Sequence, residues 1–263
     1  HTSHFLATVW RGGVMVSTHT LFEWLVGFHI LTGAVGLLVI WIPIAGRKGG
    51  QLHRRAGTLF VQTMIITGFT AVAISLTTLS DPIGTHPHLA DHPVFADPRA
   101  ISNIFGWMML YLATLTVNLA WHGKLALLHK RNHRATGTRA NNCLQIALTI
   151  ASTTCLMQGY WVQQPMMMGL SIVGFATVGT NYWFIFKPAP NNHDYVKEHI
   201  KSLVGAGISV YTAFFAFGAV RLMPELALTP GLWAIPLITG LTLIIYHQYT
   251  VTRKSRVQKV VAK

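Results

Sequence analysis

The chain has 263 residues, of which 51% are apolar and only 10% charged, and its mean hydropathy is positive. A water-soluble domain of this length carries about 25% charged residues, so the composition excludes an ordinary soluble globule and makes a bilayer the expected solvent. The net charge of +13 would point to a nucleic-acid partner only if the basic residues formed one solvated face.

Residues 1–20 are mixed, with His1, His4, Arg11 and His19, and lack the continuous apolar core expected of a cleavable signal peptide. The first expected span, 21–46, has only Glu23 and His29 as ionisable groups. As a helix it would cover about 39 Å against a hydrocarbon core of about 30 Å, so it should tilt or protrude. A basic hairpin with Arg47, Lys48, His53, Arg54 and Arg55 leads to a second span at 56–79. The loop at 81–99 is rich in Pro, Asp and His and cannot be helical throughout. Further spans are expected at 101–122, 140–162, 166–186, 202–223 and 232–250, with a loop at 187–201 between the fifth and sixth. The expected fold is therefore all-α: a single transmembrane domain over 1–263, built as a bundle of seven helices.

Charge sets the expected topology. All Lys and Arg except Arg11, Arg99 and Arg221 fall in the turns after spans one, three and five or in the C-terminal tail. The positive-inside rule then places the N-terminus outside and the C-terminus inside, in a bacterial inner membrane. Insertion and anionic lipid account for the basicity, and no nucleic-acid partner is needed. Cys143 and Cys155 are twelve residues apart on one span. That is about 18 Å along a helix, too far for a disulfide, so they read as packing residues.

Fourteen histidines are the main functional signal. In this topology His29, His86, His88 and His92 are among those near the outer face, while His53, His122, His199 and His247 end helices at the inner face. Imidazole at both faces of a bundle suits a b-type haem carrier, since haem iron is held by His nitrogen from facing helices. The candidate cofactor ligands are His29, His53, His122, His199 and His247. Helical phase puts His29 on a stripe with Gly33 and Gly36, His53 with Gly57 and Met64, His122 with Tyr111 and Asn118, and His247 with Pro236 and Gly240. Small residues mark helix contacts in membranes, so these stripes should face the bundle interior, for a cofactor cleft or for close packing. The hairpins His53–His122 and His199–His247 also read as an internal repeat, with coincidence the alternative.

In the outer loop, His86, His88, Asp91 and His92 form a candidate Zn or Cu site, with solvated polar residues as the alternative. Glu23 is the only carboxylate inside an expected span, close enough to the outer interface for a shallow hydrogen-bonded role. Gln145, Thr149, Ser152 and Gly159 form a polar stripe on the fourth span, and Asn181 lies on the fifth; such groups join helices by hydrogen bonds. The last span lacks the lysine a retinal protein needs. There is no P-loop, G-x-S-x-G or H-E-x-x-H motif.

The segments His29-Ile-Leu-Thr-Gly33, Leu52-His53-Arg54-Arg55-Ala56-Gly57 and His199 through Thr212-Ala213-Phe214 resemble a family of bacterial multi-pass membrane proteins. In that family an early-helix histidine is followed by a His-Arg-x-x-Gly turn. The resemblance covers about half the chain and implies a helical bundle with functionally placed histidines, but it brings no activity. The layering of histidines is more distantly similar to di-haem b-type cytochromes, whose helix-by-helix ligand spacing is not matched here. The expected function is a haem b electron-transfer subunit working with quinone or a partner redox protein. The alternatives are a cofactor-free accessory subunit of a larger membrane complex and an outer-face metal-binding protein; the expected partners are the lipid bilayer and a membrane protein partner or, in a homo-oligomer, further copies of the chain.

Overall fold

The structure is a computed structural model and describes residues 17–89, 97–218 and 230–261. Among the described residues all regular structure is helical, and seven helices are long. Helix α1 is Thr18–Val39, continued after a break at Ile40 by Trp41–Ala45. Ser17 caps its start by accepting from the Thr20 N–H. Pro43, which has no N–H to give to the preceding turn, accounts for the break. Helix α2 is Gln51–Ser80. Helix α3 is Pro98–His129, with π-helical turns over Ser102–Met108. Helix α4 is Arg139–Trp161, capped by Thr138; α5 is Pro165–Phe186. Helix α6 is Asp194–Ala213, running on into a π turn at Phe214–Gly218, and α7 is Pro230–Val261. The loop after α2 holds only short helical turns, Pro82–Thr85 and Pro87–Leu89, each started by proline.

Five of these helices, α1, α2, α3, α5 and α7, are long and apolar enough to cross a membrane. Their outward residues are those of an inside-out protein: Trp24, Leu31, Leu38, Phe69, Ile172 and Ile245 are each more than half exposed. Lipid contact explains apolar surface on that scale. Helices α4 and α6 are more polar, and α6 begins earlier than the sequence suggested. The segment 187–201, read as a loop, is helical from Asp194 onward. Its charged residues diluted the apolar signal, yet Lys187 and Asp194 pair with each other, and Glu198 with His122 and Lys201.

Helix α3 is the central rod. Met108, Tyr111, Ala120 and His122 are fully buried on it, and it packs against α2, α4 and α6. The glycine stripe of α1 faces α2: a Cβ on Gly36 would run into the Met64 methyl, and one on Gly33 would touch Thr67. Hydrogen bonds tie the ends of several helices together. His53 at the start of α2 reaches Pro43 at the end of α1, His199 at the start of α6 reaches Gly123 near the end of α3, and Gln248 of α7 reaches Lys197 of α6. The basic turns at 46–50, 130–138 and 187–193 therefore gather at one end of the bundle.

Candidate functional site

At that end, α3, α4, α5 and α6 enclose a cluster of polar side chains. Asn118 and His122 come from α3, Asn141 and Gln145 from α4, Asn181 from α5, and Glu198 and Lys201 from α6. All the amides and His122 are fully buried, and Glu198 is 8% exposed. Spacing of three or four residues puts each pair on one helical face. Buried polar groups are costly unless bonded, and these bond one another in a closed ring.

The Lys201 ammonium donates to Asn181 Oδ1 at 3.0 Å. Asn181 Nδ2 donates to Gln145 Oε1 at 3.2 Å and to Asn118 Oδ1 at 3.0 Å. Gln145 Nε2 donates to Asn141 Oδ1 at 3.3 Å, and Asn141 Nδ2 faces His122 Nδ1 at 3.1 Å. His122 Nε2 meets Glu198 Oε1 at 3.0 Å, and Lys201 closes the ring on the same oxygen at 2.5 Å. From Lys201 through Asn181, Gln145, Asn141 and His122 the donors point one way, toward the carboxylate, and the direct Lys201–Glu198 pair joins the two ends. Cooperative polarisation strengthens such chains in a low-dielectric setting.

The ring continues as a polar seam along the α3–α6 interface. Glu198, Ser202, Ser209 and Thr212 recur on one face of α6 and are all buried, over about 21 Å of helix. Thr116 of α3 shares a hydrogen bond with Ser209 at 2.7 Å. Ser202 Oγ and Asn118 Nδ2 are buried with no protein partner, so their hydrogen-bonding capacity is left for water.

The residues singled out from sequence fall in several places. His122 is in the ring, with both nitrogens engaged, which leaves neither for a metal. His29 is half-buried and bonds the Thr67 carbonyl of α2 at 3.0 Å. His53 bonds the Pro43 carbonyl at 3.1 Å beside Lys48, which donates to the carbonyls of Pro43 and Ile44. Together they cap the end of α1, where carbonyls lack helical partners. His199 bonds the Gly123 carbonyl at 3.1 Å, and His247 is half-buried beside Tyr246. Since a carbonyl only accepts, His29, His53 and His199 carry their proton on Nδ1 and keep a lone pair on Nε2. His133 caps α5 in the same manner, bonding Phe184 O at 3.1 Å with its ring stacked on Phe184. Burial pushes the His133 imidazole below its ordinary value.

In the outer loop, His86 is buried between Phe22 and Phe105, with Thr85 against its Nδ1, while His88 is exposed. Asp91 and His92 lie outside the described residues. Among the described residues no three His, Cys, Asp or Glu side chains converge as a metal site. Glu23 is exposed and faces His19 at 3.7 Å. Among the described residues the carboxylate enclosed by the polar cluster is Glu198, which falls in the segment 187–201 expected as a loop. The signal that could have found it is the recurrence of Glu198, Ser202, Ser209 and Thr212 on one helical face.

No family model, curated protein or solved structure matches the chain.

Proposed function

We propose that the chain is a seven-span protein of the bacterial inner membrane, N-terminus outside and C-terminus inside, that passes protons along the α3–α6 seam. Reading α4 and α6 as spans is supported by the direction of their polar residues. Asn141, Gln145 and Ser152 of α4 are buried, whereas Ile146, Ile150 and Met157 face outward. The bias of Lys and Arg supports the orientation.

The observation that carries the proton reading is the Glu198–His122 hydrogen bond beside Lys201, inside a bundle whose outer surface is apolar. Ionisable groups at such positions serve ion and proton pathways by default. Glu198 accepts from both His122 and Lys201, an arrangement that suits the carboxylate form. A proton taken up by Glu198 cancels the charge that holds both donors, so loading and rearrangement are coupled. Ser202 and Asn118 continue the path through water, toward Ser209 and Thr116.

Infrared titration of the purified protein tests the loading step. The expected result is a carboxylate band that gives way to a protonated-acid band on acidification and is missing in Glu198→Gln. A folded protein with no such band overturns the reading.

A second reading, haem b electron transfer with quinone or a redox partner, is supported by His53 and His199. Donation of Nδ1–H to a carbonyl with Nε2 left free is how metal-bound histidines are oriented. This reading expects a Soret band that His53→Ala and His199→Ala remove. Its absence from protein purified with haem supplied would end it.

A further inference from the structure

A groove of about 210 Å³ runs between α1, α6 and α7, away from the polar ring. Ile40, Ile44, Val204, Ile208 and Leu243 line it, and Gly207 and Gly240 add no side chain to it. Thr239 also lines it, and the groove's two other polar side chains bond each other: Trp41 Nε1–H donates to the Tyr211 hydroxyl at 2.7 Å, which donates to the Leu37 carbonyl at 2.8 Å. A lining this apolar selects an occupant that is chiefly hydrocarbon. From Ile235 to Leu243 it follows about 12 Å of α7, far short of the roughly 30 Å that a partner helix needs to cross the bilayer.

The end of the groove at Ile44 and Leu243 has the opposite chemistry. Lys48 donates to the Pro43 and Ile44 carbonyls there, leaving one of its three N–H groups over. His247 lies one turn past Leu243 on α7. Among the described residues no carboxylate pairs with Lys48, Arg47, Arg54 or Arg55. Apolar walls ending in uncompensated positive charge complement one kind of membrane component.

We propose that this groove holds one acyl chain of an anionic phospholipid, with the headgroup phosphate against Lys48. The site rests on the membrane reading of the helices and is independent of proton transfer at Glu198. An uncompensated cation at the mouth favours a lipid with net negative charge over a zwitterion.

Native mass spectrometry of the detergent-purified protein, with phosphatidylglycerol or phosphatidylcholine added, tests it. The expected result is one phosphatidylglycerol retained several-fold better than phosphatidylcholine. Thr239→Trp, at an exposed wall position, should abolish retention, and Lys48→Gln should remove the preference between the lipids. Ile235→Trp, also exposed and lining the groove, serves if Thr239→Trp does not fold. Equal retention of both lipids, retention unchanged by the tryptophans, or a neutral isoprenoid displaced from the groove in place of phospholipid would each overturn the proposal.

Discussion

Asn141 sets the tautomer of His122. The Asn141 amide nitrogen donates to the Thr136 carbonyl at 2.9 Å, which cannot donate in return, so the orientation of that amide is fixed. The same nitrogen faces His122 Nδ1 at 3.1 Å, and Nδ1 must therefore accept. The imidazole is left neutral with its proton on Nε2, aimed at Glu198.

Nitrogen-15 NMR of histidine-labelled protein should accordingly show one buried imidazole as the neutral Nε2–H tautomer at neutral pH. In Asn141→Leu the Nδ1 partner is gone, and the signal should change to a mixture of tautomers. A wild-type imidazolium signal for His122 would contradict the assignment.

Breaking the ion pair should be costly. Glu198→Gln keeps an oxygen that can accept from His122 but removes the negative charge opposite Lys201, and removal of one charge from a buried pair costs about 3 kcal/mol or more. Because Lys201 is partly exposed, Lys201→Met should cost less. The double variant Glu198→Gln/Lys201→Met should lose less than the two single losses added. Chemical denaturation in mixed micelles measures all three, and simple additivity would show that the two groups do not interact.

These groups also mark the limit of what the sequence disclosed. Helices α1, α2, α3 and α5 were legible because long apolar runs between basic turns have few other structural outcomes. The inward faces of Gly33, Gly36, Tyr111 and Asn118 were legible from helical phase. Glu198 and Lys201 were not, since charged residues near a helix start look the same as a solvated loop until their partners on other helices are known. Those partners, His122 and Asn181, are 76 and 20 residues away along the chain. The inner histidines looked alike in sequence, yet His53 and His133 close helix ends whereas His122 joins the ring. The difference lies in which helix terminus lies opposite each one, which no local pattern encodes.

Acid should weaken the start of α6. Burial alone would push the Asp194 carboxyl up, but the Lys187 ammonium at 2.6 Å and the Asn191 N–H at 2.8 Å outweigh it and hold the group below its ordinary value of 3.8. A depressed folded-state value means stabilisation that is present above pH 3.8 and lost as pH falls through the lower folded value. Thermal melts should show the wild type losing stability over that acid window, with Asp194→Asn less stable at neutral pH and flatter in acid. Identical pH profiles for the two would contradict the pairing.

The α1–α2 contact should tolerate no bulk. At Gly36 a side chain meets Met64, itself fully buried. Gly36→Leu should cost about 1–3 kcal/mol by overpacking, while Gly27→Leu, where nothing lies nearby, should cost little. Melting temperatures in detergent compare the two, and equal effects would refute the close approach.

The central claim is that protons pass through Glu198, and proton flux in proteoliposomes measures it most directly. With a potassium-valinomycin potential and an entrapped pH dye, the wild-type protein should acidify or alkalinise the lumen faster than empty liposomes do. Glu198→Gln, reconstituted to the same density, should fall to the empty-liposome rate, and Lys254→Gln, at an exposed position near the C-terminal end of α7, should match the wild type. A wild-type rate no greater than that of empty liposomes, or an undiminished rate in Glu198→Gln, would contradict the account.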